Sequence, residues 1–329
     1  MVSSVRAKLR MTSRSRIVFV LGAVILISLY VYHINIIHTY RPPDISEIRV
    51  SDELVTIAKA IKQKHGFVVL QFLNSGFLTL TKNWICNVEC FSILPKTIFI
   101  TTDVDAYRGL AEWKDDLNVI LLEYGTKHEM TYGEVIYYYF GLFRVKIMNQ
   151  LLQRNFSIFE TEADATWFDD PLEYFAQSSV DMVVMQNKGK HCQHCMVNGG
   201  FLYINATHTS QRMWNELTRQ LTEKMKGYRN QEGWRNIGMA GSEQVFLSDI
   251  IETEKSANIQ WLPVERFVSG LWYTNKEIRS HTQPIVILNN HVLGNAQKIE
   301  RAKLWGHWSL SADNIRCRHD NCHKDIVKI

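Results

Sequence analysis

From Gly66 onward, short apolar runs alternate with stretches of helical spacing, and this alternation narrows the possible folds more than any other feature of the chain. The runs over 67–73, 97–101, 119–122, 156–161, 182–186, 201–204 and 285–288 have strand length and are rich in Val, Ile, Phe and Leu. Residues 78–91, 106–113, 135–153, 211–225 and 242–251 carry the helical period. Strand and helix in alternation predict an α/β domain with a mostly parallel sheet, flanked by helices on both faces. Roughly 260 residues is near the upper size for one core, so a single domain with insertions is expected. Leu54, Ile57, Ala58 and Ile61 recur as in an amphipathic helix that closes at Gly66. The polar, Gly-containing stretch 226–241 reads as a long loop, and such loops are often functional.

In open α/β sheets, ligands bind outside the carboxyl ends of the strands. Polar steps recur at those places: Asn74-Ser75-Gly76, Thr102-Asp103, Glu162-Ala163-Asp164, Asn198-Gly199-Gly200 before the sixth strand, and Asn289-Asn290-His291. The glycine pair would let backbone approach a ligand closely. The acid-x-acid step says most. Residues i and i+2 share one side of a strand, so Glu162 and Asp164 leave its end facing one small volume. Two like charges held that close are tolerated best around a cation. Hard divalent cations such as Mn²⁺ or Mg²⁺ take oxygen ligands, commonly one or two carboxylates plus substrate phosphates. The step therefore points to diphosphate chemistry. A solvated acidic turn is the plainer alternative; the apolar strand before the step, and Trp167-Phe168 and Pro171 after it, argue against that.

The N-terminus has a separate character. No Asp, Glu, Lys or Arg occurs over 17–40. Residues 17–37 would span roughly 30 Å as a helix, the thickness of a bilayer's hydrocarbon core. Arg6, Lys8, Arg10, Arg14 and Arg16 precede this run without an acidic residue among them. The positive-inside rule then predicts a cytoplasmic tail (1–16), a transmembrane signal anchor (17–37), a stem (38–65), a lumenal domain (66–310) and a Cys/His-containing C-terminal tail (311–329). A cleaved signal peptide fits less well, because no small-x-small site follows the run. The chain carries 37 basic and 33 acidic residues. Without the five tail cations the lumenal part is close to neutral, which excludes a nucleic-acid footprint.

Six cysteines (Cys86, Cys90, Cys192, Cys195, Cys317 and Cys322) suit an oxidising lumen and predict disulfides, with Cys317–Cys322 able to close a small loop. The clusters His191-Cys192-Gln193-His194-Cys195 and Cys317-x-His319-x-x-Cys322-His323 could also bind zinc, a reading that a secretory compartment disfavours. Asn155-Phe156-Ser157 and Asn205-Ala206-Thr207 are N-glycosylation sequons.

Together these segments resemble the nucleotide-diphospho-sugar transferase family of GT-A (Rossmann-like) fold, type II Golgi enzymes that include retaining galactosyl- and arabinosyltransferases. The likeness runs from about residue 67 to 308. Asn83-Trp84-Ile85-Cys86 is similar to the family's N-W-x-C element, and Asp103-Val104-Asp105-Ala106 to its D-x-x-A segment. Glu162-Ala163-Asp164 through Asp170-Pro171 resembles its D-x-D-x-x-W-x-x-D-P signature, and Asn198-Gly199-Gly200-Phe201 its N-x-G-x. Leu262-Pro263 with Phe267, Gly270 and Tyr273, and Asn289-Asn290 through Gly294 and Lys298, resemble the two closing segments. Three positions depart from the pattern. Glu162 stands for the first Asp of D-x-D, Glu243-Gln244 for a D-Q pair, and Leu288 where relatives often carry His. Glu for Asp keeps the charge but moves it by roughly one methylene, about 1.3 Å, which matters to a finely tuned hydrogen-bond geometry.

The resemblance implies a metal-dependent, configuration-retaining glycosyltransferase acting on a nucleotide-sugar donor and a glycan or glycoprotein acceptor at the Golgi membrane. An inactive lumenal glycan-binding protein on the same fold is the alternative. Asp164 would ligate Mn²⁺ or Mg²⁺, with Glu162 touching the ribose or the metal and His291 as a third ligand. Asn74 and Asp103 would line the nucleotide pocket, and Gly199 and Gly200 would lie against the donor sugar. Glu243 and Gln244 would face the reacting sugar. Lys146 is a further cation considered for the diphosphate, against its plainer role as a solvated charge on a helix.

Overall fold

The computed structural model describes residues 19, 21–30, 44–125, 127–176, 179–187 and 196–318. Residues 21–30 are helical, and among the described residues no helix is long and apolar enough to cross a membrane. All of the expected cytoplasmic tail and part of the expected anchor, together with Cys192, Cys195, Cys322 and their neighbouring histidines, lie outside the described residues.

A seven-stranded sheet organises the domain. Its first half is parallel: β1 (Val68–Leu73) lies between β2 (Thr97–Thr101) and β4 (Ile158–Thr161), and β3 (Asn118–Leu121) lies outside β2. The other half departs from the parallel expectation. β7 (Val197–Ile204) runs antiparallel to both β4 and β6 (Met182–Gln186), while β8 (Ile259–Trp261) is parallel to β6. The sheet is mixed, and the reversal of β7 has a consequence for the site. Asn198, Gly199 and Gly200 do not precede a strand, as the sequence suggested, but form the start of β7. That antiparallel start lies at the same sheet edge as the carboxyl end of β4, with Thr161 opposite Phe201.

Both faces of the sheet are covered. On one side α1 (Asp52–His65), α4 (Val135–Leu152), α6 (His208–Lys226) and α7 (Glu243–Thr253) pack in one apolar cluster. On the other, α2 (Leu78–Val88) and α3 (Val104–Ala111) pack with Trp84, Phe159, Trp167 and Phe201. The ends of the helices follow their capping residues. Ser51 accepts from the Leu54 amide and left-handed Gly66 closes α1, as its pattern predicts. Thr207 and Ser210 form a reciprocal capping box at the start of α6. α4 is apolar almost all round because it lies between the sheet and other helices. Within it Arg144 is a buried cation.

A second sheet was not foreseen. β5 (Ala165–Trp167) follows the acid-x-acid step directly and pairs antiparallel with β10 (Val286–Leu288), which pairs in turn with β9 (Phe267–Val268). β10 lies in the run expected at 285–288, whereas β5 and β9, with three and two residues, carry too little periodicity to be read from sequence. The pairing of Ala165 with Leu288 delivers Asn289-Asn290 and then α10 (Asn295–Leu304) to the acidic step.

Cys86 and Cys317 form a disulfide that fastens the C-terminal segment to α2 across 231 residues. This corrects the local Cys317–Cys322 loop. Cys90 is also disulfide-bonded. Lys146, whose plainer reading is a solvated helix charge, donates from its ammonium to the Ile45 carbonyl at 2.6 Å.

Candidate active site

Four elements converge where β4 ends. Glu160 and Glu162 leave the strand on one face, and Asp164 follows before β5. From α4 come Tyr137, Gly141 and Arg144, spaced four and three residues apart and therefore on one stripe. α7 supplies Glu243 as its first residue, and α10 supplies Lys298.

Arg144 bridges two carboxylates. Its Nη1 lies 3.3 Å from Glu160 Oε1 and its Nη2 2.8 Å from Glu243 Oε1, with all three side chains buried. Lys298 Nζ lies 2.7 Å from Asp164 Oδ2. Four carboxylates thus face two cations in this cluster, and the electrostatics respond. Burial pushes the Glu160 carboxyl up to about 7 against the pull of Arg144. Burial and then the neighbouring Asp164 push Glu162 up to about 7, with Lys298 and Arg144 opposing. Burial also raises the Tyr137 hydroxyl far above its ordinary value, and the charges of Glu243 and Glu162 add to this. Desolvation works to lower Lys298, but Asp164 and then Glu162 hold it above the usual lysine value. Arg144 is likewise raised, because Glu160 and Glu243 outweigh its burial.

The glycines make room for these acids. Gly200 stands opposite Glu162 on β7, and a side chain there would overlap the Glu162 carboxyl group. A methyl at Gly199 would come 3.0 Å from Glu243 Oε1, and one at Gly141 would come 3.1 Å from Glu243 Oε2. The Asn198 side chain accepts from the Gly200 amide at 2.9 Å and steadies this edge. Gln244 Oε1 lies 3.5 Å from the Gly199 amide nitrogen.

Asn289 sets the position of α10. Its backbone amide donates to the Asp164 carbonyl at 3.2 Å, and its side-chain amide donates to the Lys298 carbonyl at 2.8 Å. Arg301 donates to Asn289 Oδ1 and to the Asn290 carbonyl, each at 2.6 Å. Asn74 and Asp103 are both buried at the ends of β1 and β2. Asn74 donates to the His128 carbonyl at 2.9 Å. Asp103 accepts from the Ser75 amide at 2.7 Å and caps α3 through the Ala106 amide at 2.9 Å. Both residues therefore have architectural work besides any contact with a nucleotide. His291 lies on an exposed left-handed turn with φ 57°.

Among the described residues no group of three or more His, Cys, Asp and Glu is arranged to hold a metal ion. The pair that is assembled, Glu162 and Asp164, fits a hard divalent cation whose remaining ligands come from substrate phosphates. Asp164 Oδ1 is buried without a hydrogen-bond partner, and the surplus of acid in the cluster favours added positive charge.

Sequence reasoning missed Arg144 and Glu160 and gave Lys298 only as part of a motif. Arg144 did leave a signal, as an arginine in the middle of an apolar helix. Glu160 left another, as an acid on a strand position whose period assigns it to the core.

A family model for nucleotide-diphospho-sugar transferases matches residues 92–302, well over half of the chain. The chain belongs to this family. It is a glycosyltransferase, and the acidic edge just described falls within the matched residues. Among proteins similar to the transferase, UDP-D-xylose:L-fucose alpha-1,3-D-xylosyltransferase 1 of Arabidopsis thaliana is 20% identical over 274 residues, covering 77% of this chain and 74% of that one. Beta-arabinofuranosyltransferase RAY1 of the same plant is 17% identical, and the match covers 80% of this chain but only 52% of RAY1. Among solved structures, the glycosyltransferase GlyE of Streptococcus pneumoniae aligns with a TM-score of 0.46 and 10% identity, over 76% of this chain and 62% of that one.

Proposed function

We propose that the transferase moves a pentosyl or hexosyl unit from a nucleotide diphosphate to a glycan or glycoprotein acceptor, with metal assistance and with retention of anomeric configuration. The observation that carries this reading is the meeting of Glu162, Asp164, Glu243, Arg144 and Lys298 at one sheet edge, where α/β proteins bind ligands. The plant relatives, named as a xylosyltransferase and an arabinofuranosyltransferase, support a sugar as the transferred group.

In this reading Asp164, with Glu162 beside it, would hold Mn²⁺ or Mg²⁺. Such a cation, when bound, neutralises charge on a departing diphosphate. His291 remains the proposed third ligand. Lys298 would exchange its contact with Asp164 for a phosphate oxygen, since an ammonium serves either anion. Asn74 and Asp103 would border the nucleotide, and Gly199 and Gly200 the sugar. Glu243, fixed by Arg144 and followed by Gln244, would face the reacting carbon. The proposed setting is the Golgi lumen, behind a single N-terminal signal anchor in type II orientation.

Screening the purified protein against a panel of nucleotide sugars, with Mn²⁺ and with chelator, tests this function. Metal-stimulated transfer or slow donor hydrolysis is the expected result. A protein that binds and cleaves none of the donors, with or without metal, refutes it.

A further inference from the structure

Stability gives no reason for burying Arg144, Glu160 and Glu243 together. Each is less than a tenth exposed. Replacing a buried ion pair or triad with apolar residues of similar volume is often neutral or stabilising, because the desolvation of charge is so costly. Glu160 is the odd member. Strand alternation puts it on the face of Ile158, which packs into the core around α4. Its cross-strand neighbour Leu202 belongs to the same core. An apolar side chain would suit that position, yet a carboxylate occupies it.

The geometry of Arg144 shows what the carboxylate does. A planar guanidinium presents its donors in a fixed fork, so anchoring one arm directs the other. Here Nη1 faces Glu160 and Nη2 faces Glu243. Glu243 is thereby held with Oε1, the oxygen on Arg144, against Gly199 and with Oε2 against Gly141, two positions where a methyl would crowd it. Its other oxygen, Oε2, is buried and has no hydrogen-bond partner.

We infer that Glu160 is a positioning residue for sugar transfer: by holding one arm of Arg144 it fixes the other on Glu243 and keeps the Glu243 carboxylate against Gly199, beside the reacting sugar. This rests on the transferase reading of the site given above. Glu160 itself touches no substrate.

The experiment compares Glu160→Leu and Glu160→Gln with the wild-type full chain by melting temperature, steady-state kinetics and crystal structure. Glu160→Leu is expected to melt at the wild-type temperature or above. In its structure the Glu243 carboxylate should leave Gly199. Its kcat should fall about tenfold to 100-fold, the effect of a displacement of about 1 Å at a reacting centre, while the donor KM stays within about threefold. Glu160→Gln keeps an acceptor for Arg144 and should recover most of kcat. An unmoved Glu243 in Glu160→Leu, a kcat within about twofold of wild type, or losses of stability and activity in parallel would each overturn the inference. A wild-type protein that turns over no nucleotide sugar would remove the transferase reading instead. The position of Glu243 in the Glu160→Leu structure would still decide whether Glu160 positions it.

Discussion

Asp164 and Glu162 sit two residues apart and belong to different partnerships. Asp164 is paired with Lys298, whereas Glu162 lies over Gly200 with its carboxyl raised to about 7. Asp164→Asn is therefore expected to lower transfer about 100- to 1000-fold and to abolish the benefit of Mn²⁺ on donor affinity. Glu162→Gln should be milder, and Glu162→Asp should match or exceed wild type. Donor titrations with and without Mn²⁺ check this, and wild-type affinity in Asp164→Asn would contradict it. Arg144→Met leaves Glu160 and Glu243 buried without their cation, and should cost about 3–5 kcal/mol by denaturant unfolding. Glu160 also has a pH signature. Its folded pKa lies above the unfolded carboxyl value, so between about pH 4.5 and 7 the folded chain holds more protons than the unfolded one. Its contribution to stability is thus full below that window and lost as pH rises through it. Melting temperatures at pH 5 and pH 7 should differ less in Glu160→Gln than in wild type, and an unchanged difference would refute the assignment.

At the scale of elements, two glycines separate function from stability. On β7, a side chain at Gly200 meets the Glu162 side chain first, whereas one after β9, at Gly270, meets the Asn290 backbone carbonyl. Gly200→Ala should keep its melting temperature close to that of wild type while weakening donor binding, because the displaced part is the Glu162 carboxylate. Gly270→Ala should cost about 1–3 kcal/mol, since backbone cannot step aside as a side chain does. Unfolding curves and donor affinities for both variants decide the matter; equal loss of stability in the two would sink the distinction. The Asn289-Asn290 turn explains why the element matters. It ties β10 to Asp164 and α10 to both, so a shift at Gly270 would carry Lys298 away from the acidic step.

Over the whole molecule, a lumenal domain behind a type II anchor remains the proposal, and the two sequons offer a way to test it. Asn155 is exposed on a left-handed turn after α4. Asn205 donates its amide to the Val180 carbonyl at 2.6 Å and accepts from Tyr203 at 2.8 Å. A glycan should be found on Asn155 and not on Asn205. Glycosidase-sensitive mass on Asn155→Gln would contradict the choice of site, and no glycan at either position would count against the lumen.

The sequence alone determined the elements with strong periods: the seven strand runs, the helices read at 135–153 and 211–225, and the closure of α1 at Gly66. Each is set by neighbours within a few residues, through side-chain period and capping, and that information is local. The acid-x-acid step was legible for the same reason, as were the polar strand ends. The tertiary structure decided what stands opposite the acids. The antiparallel course of β7, the pairing of β5 and β9 with β10, and the partners of Glu160, Glu243 and Asp164 join residues from about 16 to more than 100 positions apart. The Cys86–Cys317 bond spans still more of the chain. Such pairings depend on which surfaces the packed layers bring together, and no local period encodes them. Charge shows the limit most clearly. Arg144 and Lys298 were two among 37 basic residues until the fold buried them beside carboxylates and made them the cations of the site.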